Sequence, residues 1–578
     1  MKNIVKIFAL LLIIGGCSQP ARYPKAPEVK QQALARIDQM PDFPQPYKML
    51  NWNQKAHLFD KLVFDSTQTG EYWPLIWTDN SAKNFDQKTF GLYTAMGDVR
   101  QGLKNNDGIF HESLTTMGAV LGASLVGIDK SNQDGNNYVN MLRNYFNSDT
   151  NWDIMMNNTC PEVALLGGGY GRDWWYDVFP NVLYYAVCDF YPNEKNTEPI
   201  LRSIADKFYQ ADSILNGNYN YTFFNYGTMS PEENWICHQQ DAAAGHAYVL
   251  YSAYKRFGDQ RYLEGAKSSI EALLSLEKNT FYEILMPFGA YVATRLNAEE
   301  GTDYEVRQLL EWTFNGDTEC REGWGVLADN WNGYDVSGLV GSTIDHGGYG
   351  FLMNTFDAAW ALVPMVRYDA SWAQALGKWM LNAANVSRLF YPDEIPDEHQ
   401  TSPELKQVAK GVIGYEGLVK ISTFDEFKDI KAPVAQGDGP HWVQGENPWA
   451  SQLSVYGSAH IGIFGSIIST TNVEGVLQLD LLACDFYRDD AYPTYMYYNP
   501  YTEEKLINID LGNENVKLYD LLTHSFIDES ISGSYDLSVA PGQSRVLVIT
   551  PENGKLTFSD GKVAVDGVVI DYQNKVEL

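Results

Sequence analysis

The stretch AAAGHAYVLYSAYKRF, Ala242–Phe257, is apolar around most of its circumference. A helix of that kind has no face to give to water and must be enclosed on all sides. Gly258 and Asp259 end it. Residues 262–278 follow with Leu263, Ala266, Ile270, Leu273 and Leu274 at helical spacing and Lys and Glu on the other face. An enclosed helix followed by a one-sided one is a strong constraint, and the couple recurs. Residues 112–126 pair with 138–146, 181–190 with 199–211, 284–296 with 304–312, 351–366 with 372–389, and 456–468 with 473–486. For 199–211, Asn196 and Thr197 offer a cap and Pro199 suits the first turn. Six such hairpins close naturally into a double ring, with the apolar helices inside and the one-sided helices outside.

At 578 residues the chain exceeds one ordinary compact core, so more than one domain is expected. Beyond about residue 490 the hydrophobic period changes to two. Segments 495–498, 505–511, 516–521, 535–539 and 545–550 are short alternating runs separated by turns, and Asp560-Gly561 marks a final hairpin. The expected organisation is mainly α: a leader over 1–17, an N-terminal extension over 18–110, a helical double ring over 111–489 and a small antiparallel β-sandwich over 490–578.

The formal net charge of −31 repels nucleic acid and anionic lipid surfaces, and it disfavours a long groove for an extended polyanion. It leaves room for a small anionic ligand held by one or two local arginines. At the N-terminus, Lys2 and Lys6 precede an apolar run over 7–14 that is too short to span a bilayer and reads as a signal peptide. The run closes on Ile14-Gly15-Gly16-Cys17, which resembles a bacterial lipobox and implies lipidation of Cys17. With no acidic cluster in Ser18-Gln19-Pro20-Ala21, the periplasmic side of the outer membrane is the expected address. The other five cysteines, Cys160, Cys188, Cys237, Cys320 and Cys484, are odd in number and sparse. None has zinc-ligand spacing, and buried free thiols are the expectation. Neither a metal nor a cofactor is called for.

In a double ring the N-terminal ends of the inner helices share one face, so the residues just ahead of each converge. Those six places carry His111-Glu112; Arg172-Asp173-Trp174-Trp175-Tyr176-Asp177; Glu232, Glu233, Trp235, His238 and Asp241; Tyr282-Glu283; Asp345, His346 and Tyr349; and His441, Trp442, Glu446 and Trp449. Each has a carboxylate with an aromatic ring or an imidazole. Individual Asp and Glu residues there serve as caps or helix-dipole partners, but turns do not require Trp, His and Glu together six times. The glycine-rich stretch GGGYGRDWWYDVF, residues 167–179, reads as a pocket wall whose glycines let backbone and rings approach a ligand.

The helix pattern resembles the (α/α)6 toroid of the six-hairpin glycosidases. GHAYVLYSAYKRFGDQRYLEGA is similar to the helix pair of unsaturated glucuronyl hydrolases, and SRVLVIT followed by Pro551 resembles the last strand of the β-sandwich that often ends such enzymes. The chain most resembles glycoside hydrolase family 154, which implies a β-glucuronidase-like, exo-acting hydrolase. Glycoside hydrolysis asks for one protonated and one ionised carboxyl group flanking the bond. An apolar wall and like-charged neighbours raise the pKa of the former. Glu233, beside Glu232 and Trp235, and Asp345, between Ile344 and His346, are the favoured pair, with Asp173, Asp241 and Glu446 next. For Asp241 the resemblance implies a catalytic role, since a catalytic Asp lies near the start of the matching helix. Arg172 and Arg321 are candidate clamps for a substrate carboxylate. Trp174, Trp175 and Trp449 are candidate sugar platforms, and His238, His346 and Tyr349 are candidate hydroxyl or proton partners.

Two other readings stay open. A polysaccharide lyase would use Tyr349 or His346 to abstract the C5 proton and Arg172 to neutralise the uronate. A non-catalytic glycan-binding lipoprotein would need the platforms but no paired carboxylates. No Walker loop, HExxH or EF-hand loop is present, and GGGYG lacks a strand-to-helix dinucleotide context. The partner expected in every reading is an oligosaccharide.

Overall fold

The computed structural model describes residues 26–70, 72–96, 111–161, 169–318, 320–422, 424–437 and 453–574. Helix α1 (Trp52–Val63) opens on Asn51, whose side chain accepts the backbone N–H of Gln54. The long apolar helices are α2 (Ser113–Leu125), α3 (Trp174–Phe190), α5 (Ala242–Phe257), α7 (Leu285–Glu299) and α9 (Leu352–Tyr368). A sixth helical stretch is broken into the turn Val455–Ser458, the 3-10 turn Ala459–Ile461 and α11 (Gly462–Ile467). Each packs on the next in that order, and the sixth packs back on α2, so the chain of contacts closes.

Closure depends on small residues. A Cβ on Gly462 would lie 2.0 Å from the carbonyl oxygen of Gly122, so α2 and α11 touch backbone to backbone. Every residue of α9 is buried, as expected for a helix enclosed on all sides. The second helices are α4 (Thr197–Leu215), α6 (Gln260–Leu274), α8 (Val306–Asn315) and α10 (Ala373–Val386), packed outside α5, α7 and α9. The segment 138–146 is a short helix, Tyr138–Met141, continued by the 3-10 turn Leu142–Tyr145.

Two expected elements differ. Helix α3 starts at Trp174 rather than at 181, carrying Pro180 inside it, so the Trp-Trp pair is helix and not loop. Residues 473–486 are not a helix. Leu477–Asp480 is a strand in which Leu477 and Leu479 are buried while Gln478 and Asp480 are half-buried. Its leucines alternate, and the apolar flanks disguised period two as 3.6. The outer place beside the sixth inner stretch is taken instead by α1, which packs on α11 and α2.

Between α8 and α9 and beyond α10, short segments build a five-stranded antiparallel sheet at the ring's N-terminal face. Its order is Val434–Gln436, Gly417–Val419, Tyr349–Phe351, Val340–Ser342, Trp324–Val326. At the other end of the chain a six-stranded antiparallel sheet runs Ile468–Thr470, Leu477–Asp480, Thr494–Tyr498, Ser544–Pro551, Val516–Asp520, Ser525–Ile531. A two-stranded antiparallel sheet of Lys505–Asp510 and Ser534–Val539 packs on it through a small separate core that includes Ile507, Leu537, Tyr497 and Leu547. A three-stranded sheet, Leu556–Ser559, Lys562–Val565 and Val568–Asp571, follows.

One expectation about cysteine is overturned. Cys237 and Cys320 form a disulfide with their Cα atoms 5.4 Å apart, while Cys160, Cys188 and Cys484 are buried free thiols. The partners are separated by 83 positions, and pairing over such a distance is set by the fold and not by spacing.

Candidate active site at the mouth of the ring

The turn ahead of α3 is held from inside. The carboxylate of Asp177 accepts the N–H groups of Tyr170 at 2.7 Å and Gly171 at 2.9 Å. Gly171 has φ +83°, and a Cβ there would strike the ring of Phe223. Asp177 therefore serves as the anchor of its own loop. Asn234 ties the same turn to the next loop by donating to the carbonyls of Gly171 and Arg172, both at 2.9 Å.

That pinning sets Asp173. It precedes α3 in extended conformation and accepts from Gln239 Nε2 at 2.8 Å and from the Tyr282 hydroxyl. Gln239 in turn accepts the N–H of Trp175 at 3.0 Å, which locks its amide. Burial pushes the Asp173 carboxyl above the ordinary range, against the opposing pull of these hydrogen bonds and of the Arg172 and Arg321 guanidiniums. Its residue exposure is 8%. Asp173 is thus a buried carboxyl that holds its proton to higher pH than an exposed aspartate.

Beside it, Asp241 precedes α5 and accepts the Tyr282 N–H at 3.1 Å. Burial lifts its pKa to about 7. The unfolded chain releases this proton near the ordinary value of 3.8. Stability supplied by the protonated form is therefore complete below pH 3.8 and is lost as pH rises to about 7. Asp241→Asn, which does not titrate, is expected to gain on the native chain by roughly 2–4 kcal/mol between pH 4 and pH 7. Urea unfolding at the two pH values measures it, and a pH-independent difference would show that Asp241 is ionised in the folded protein.

Glu283, ahead of α7, pairs with Arg321 and accepts from Asn354 Nδ2 at 2.9 Å. The guanidinium of Arg321 lies 3.7 Å from the centre of the Trp324 ring, and Trp324 Nε1 donates to the Glu283 carbonyl at 2.9 Å. The Cys237–Cys320 disulfide attaches the strand of chain bearing Arg321 to the loop ahead of α5.

The facing wall is aromatic. Trp324, Tyr349, Phe351 and Tyr456 follow one another with ring centres 6.3, 6.1 and 6.0 Å apart. Tyr456 then hydrogen-bonds Tyr176, whose ring lies 4.0 Å from that of Trp175. Burial, the nearby charge of Glu112 and those of Asp173 and Glu416 raise the Tyr176 hydroxyl well above its ordinary pKa, with the bond to Tyr456 opposing. Glu112 and Glu416 act on Tyr456 as well. The Tyr176 hydroxyl thus feels Asp173, Glu112 and Glu416, and its partner Tyr456 feels Glu112 and Glu416. Glu112 is buried and Glu416 half-buried.

The structure brings together Asp173, Asp241, Arg172, Arg321 and Tyr349 of the residues expected from sequence. Arg172 is exposed and, among the described residues, makes no ion pair. Glu233 and Asp345, the favoured pair, are both exposed. Glu233 accepts from Thr222 at 2.8 Å and meets His238 at 3.0 Å; His238 is exposed and also reaches Asn220 at 2.7 Å. Asp345 and His346 form a short turn in which His346 has φ 55°. Neither Glu233 nor Asp345 has the apolar enclosure expected of it from sequence.

Trp174 offers no face to a sugar. It is fully buried, stacked on Tyr219 at 5.7 Å, with its N–H on the Tyr226 hydroxyl at 3.3 Å. Trp175 is 3% exposed beneath Tyr176 and is likewise wall, not platform. Both follow from α3 starting earlier than expected, which turns the pair into the ring's core. Glu446, Trp449, His441, Trp442 and Cys17 lie outside the described residues. Sequence reasoning missed Glu416, Tyr456 and Gln239. Glu416 lies far in sequence from any inner-helix start, and only the sheet pairing of Gly417–Val419 with Tyr349–Phe351 brings it to the mouth.

Among the described residues no three His, Cys, Asp or Glu side chains are grouped to hold a metal ion. A wide cleft of about 720 Å³ lies elsewhere, lined by Gln31, Asp38, Lys378, Tyr498 and Tyr501 among others. It contains the ion pair of half-buried Lys378 with exposed Asp42 and no buried carboxylate.

No family model matches the sequence, and no curated protein does. Among solved structures the chain is similar to a GH127 β-L-arabinofuranosidase from Geobacillus stearothermophilus T6, at 10% identity over 90% of this chain and 84% of that one, with a TM-score of 0.35. A second GH127 β-arabinofuranosidase gives 10% identity over 94% and 84%, with a TM-score of 0.36. Endoglucanase CelQ from Clostridium thermocellum, complexed with cellotetraose, gives 10% over 90% and 97%, with a TM-score of 0.36. Overlaps this loose say nothing about chemistry.

Proposed function

We propose that the closed ring is an (α/α)6 toroid of the six-hairpin class, ended by a β-sandwich, and that its mouth is the active site of an exo-acting glycoside hydrolase. The observation that supports this most is the placing of Asp173. It is a buried carboxyl raised by desolvation, and it shares the electrostatic neighbourhood of Tyr176 with the further carboxylates Glu112 and Glu416. One carboxyl held protonated and another available as carboxylate are what the reaction requires.

In this reading Asp173 gives its proton to the glycosidic oxygen as the bond to the anomeric carbon breaks. Glu416, half-buried and reachable from solvent, works at the anomeric carbon from the other face, as base toward water or as nucleophile. Gln239 and Tyr282 aim Asp173 and do not touch the substrate. Half-buried Tyr349 lines the sugar's apolar face, backed by the buried rings of Trp324 and Phe351. The preferred terminal sugar is a uronic acid, β-glucuronide-like, because Arg172 stands beside Asp173 as an exposed guanidinium without an ion pair among the described residues. Lipid anchoring at Cys17 on the periplasmic side of the outer membrane belongs to the same proposal and rests on sequence alone.

The test incubates the chain beginning at Ser18 with aryl glycosides and uronate-capped oligosaccharides. Free uronic acid without the ultraviolet absorbance of an unsaturated uronate is the expected product. New absorbance would establish β-elimination and overturn the hydrolase. Release of neutral sugars alone would overturn the uronate preference.

A further inference from the structure

Trp235 is 81% exposed, more than any other large apolar side chain among the described residues. An indole left in water is unremarkable on a loose loop, but this loop is not loose. Asn234 donates to the carbonyls of Gly171 and Arg172, and its own N–H donates to Thr222 Oγ1 at 3.1 Å. Ile236 N–H closes on Asn234 Oδ1 at 2.7 Å, and one residue further Cys237 is bonded to Cys320, the neighbour of Arg321. The ring is therefore presented at a fixed place on the lip, between the two arginine-bearing turns. On the same loop Glu233 and His238 form a preset hydrogen-bonding pair, ordered by Thr222 and Asn220 and open to solvent.

We propose that Trp235, with Glu233 and His238, is an outer sugar subsite that binds the residue following the terminal sugar cleaved at the mouth. A planar, amphipathic ring stacks on the C–H face of a pyranose, and a carboxylate with an imidazole beside it takes the equatorial hydroxyls. This role rests on the hydrolase reading and accounts for Glu233 and His238 outside the chemistry. The ligand class is an oligosaccharide of at least two pyranose units, as against a simple aryl glycoside.

The experiment compares Trp235→Ala and Trp235→Phe with the native chain from Ser18, on a uronate-capped trisaccharide and on an aryl uronide. For Trp235→Ala, the ratio of kcat/KM on the trisaccharide to that on the aryl uronide is expected to fall about tenfold, mainly through KM. Trp235→Phe is expected to restore most of it. An unchanged ratio, whether from no loss or from equal loss on both substrates, overturns the subsite. If the native chain cleaves neither compound, the hydrolase reading fails by itself, and titration of the trisaccharide against tryptophan fluorescence decides the subsite. Binding that Trp235→Ala weakens about tenfold supports it, and absent or unaltered binding overturns it.

Discussion

Asp173→Asn is expected to lower kcat on an oligosaccharide by about 10²–10⁴-fold while leaving the fold intact, the range associated with losing a positioned general acid. The fold survives because the substitution keeps the acceptor that Gln239 Nε2 uses and removes a buried group whose charged form is disfavoured. The loss should depend on the leaving group. A nitrophenyl uronide departs without protonation, so its kcat should fall much less than that of the oligosaccharide. The pH profile gives the sign. A general acid works only while protonated, so kcat/KM of the native chain declines as pH rises through the Asp173 pKa, which burial has raised. The variant should lose that alkaline limb. Glu416→Gln should instead lose activity on both substrates, since attack on the anomeric carbon is needed whatever leaves. If Asp345→Asn shows the leaving-group dependence and Asp173→Asn does not, the chemistry lies on the exposed rim and this assignment is wrong.

The inner helices were legible in the sequence because enclosure leaves a compositional mark. Residues such as those of α5 and α9 have no polar face, and no surface helix reads that way. The order of the hairpins followed, and with it the idea that segments far apart in sequence meet at one mouth. Asp173 and Asp241 were singled out by that logic. Choosing among them was not possible from sequence, since burial separates a working acid from a cap. Glu233 and Asp345 sit in similar company along the chain but are exposed in space. Trp174 misled for a related reason: adjacent tryptophans after a glycine turn read the same at a lip and at a helix start. Glu416 is brought in by strand pairing and Cys237 finds Cys320 by long-range closure, and neither leaves a local signal. The sixth outer place went to α1 because 473–486 fits a strand once its leucines are paired across a sheet.

Asp485 supports the second large effect, on stability, at the opposite end of the ring. It lies in the connection between Leu477–Asp480 and Thr494–Tyr498 of the six-stranded sheet, and its side chain is fully buried. Arg367 of α9 donates to it at 2.9 Å, the Tyr291 hydroxyl of α7 at 2.6 Å and the Tyr368 hydroxyl at 3.0 Å. Arg295 extends the network, donating to the Tyr291 oxygen at 3.0 Å and to the carbonyls of Phe486 and Tyr487 at 2.9 and 3.2 Å. One carboxylate thus joins two inner helices to the C-terminal sheet. Asp485→Ala removes the counter-charge and strands the Arg367 guanidinium with two tyrosine hydroxyls in a site closed to water. A buried charge left without its partner costs about 3–5 kcal/mol, well above the value of a surface pair. The expected result is a loss of that size, measured as the shift in urea midpoint at constant slope. Asp485→Asn, which keeps the tyrosine hydrogen bonds but not the charge, should fall between Asp485→Ala and the native chain. Replacing both partners, Asp485→Leu with Arg367→Met, removes the stranded charge and should cost less than Asp485→Ala alone. If the double replacement is the more damaging, the tyrosine hydrogen bonds carry the stability of this end and the ion pair does not.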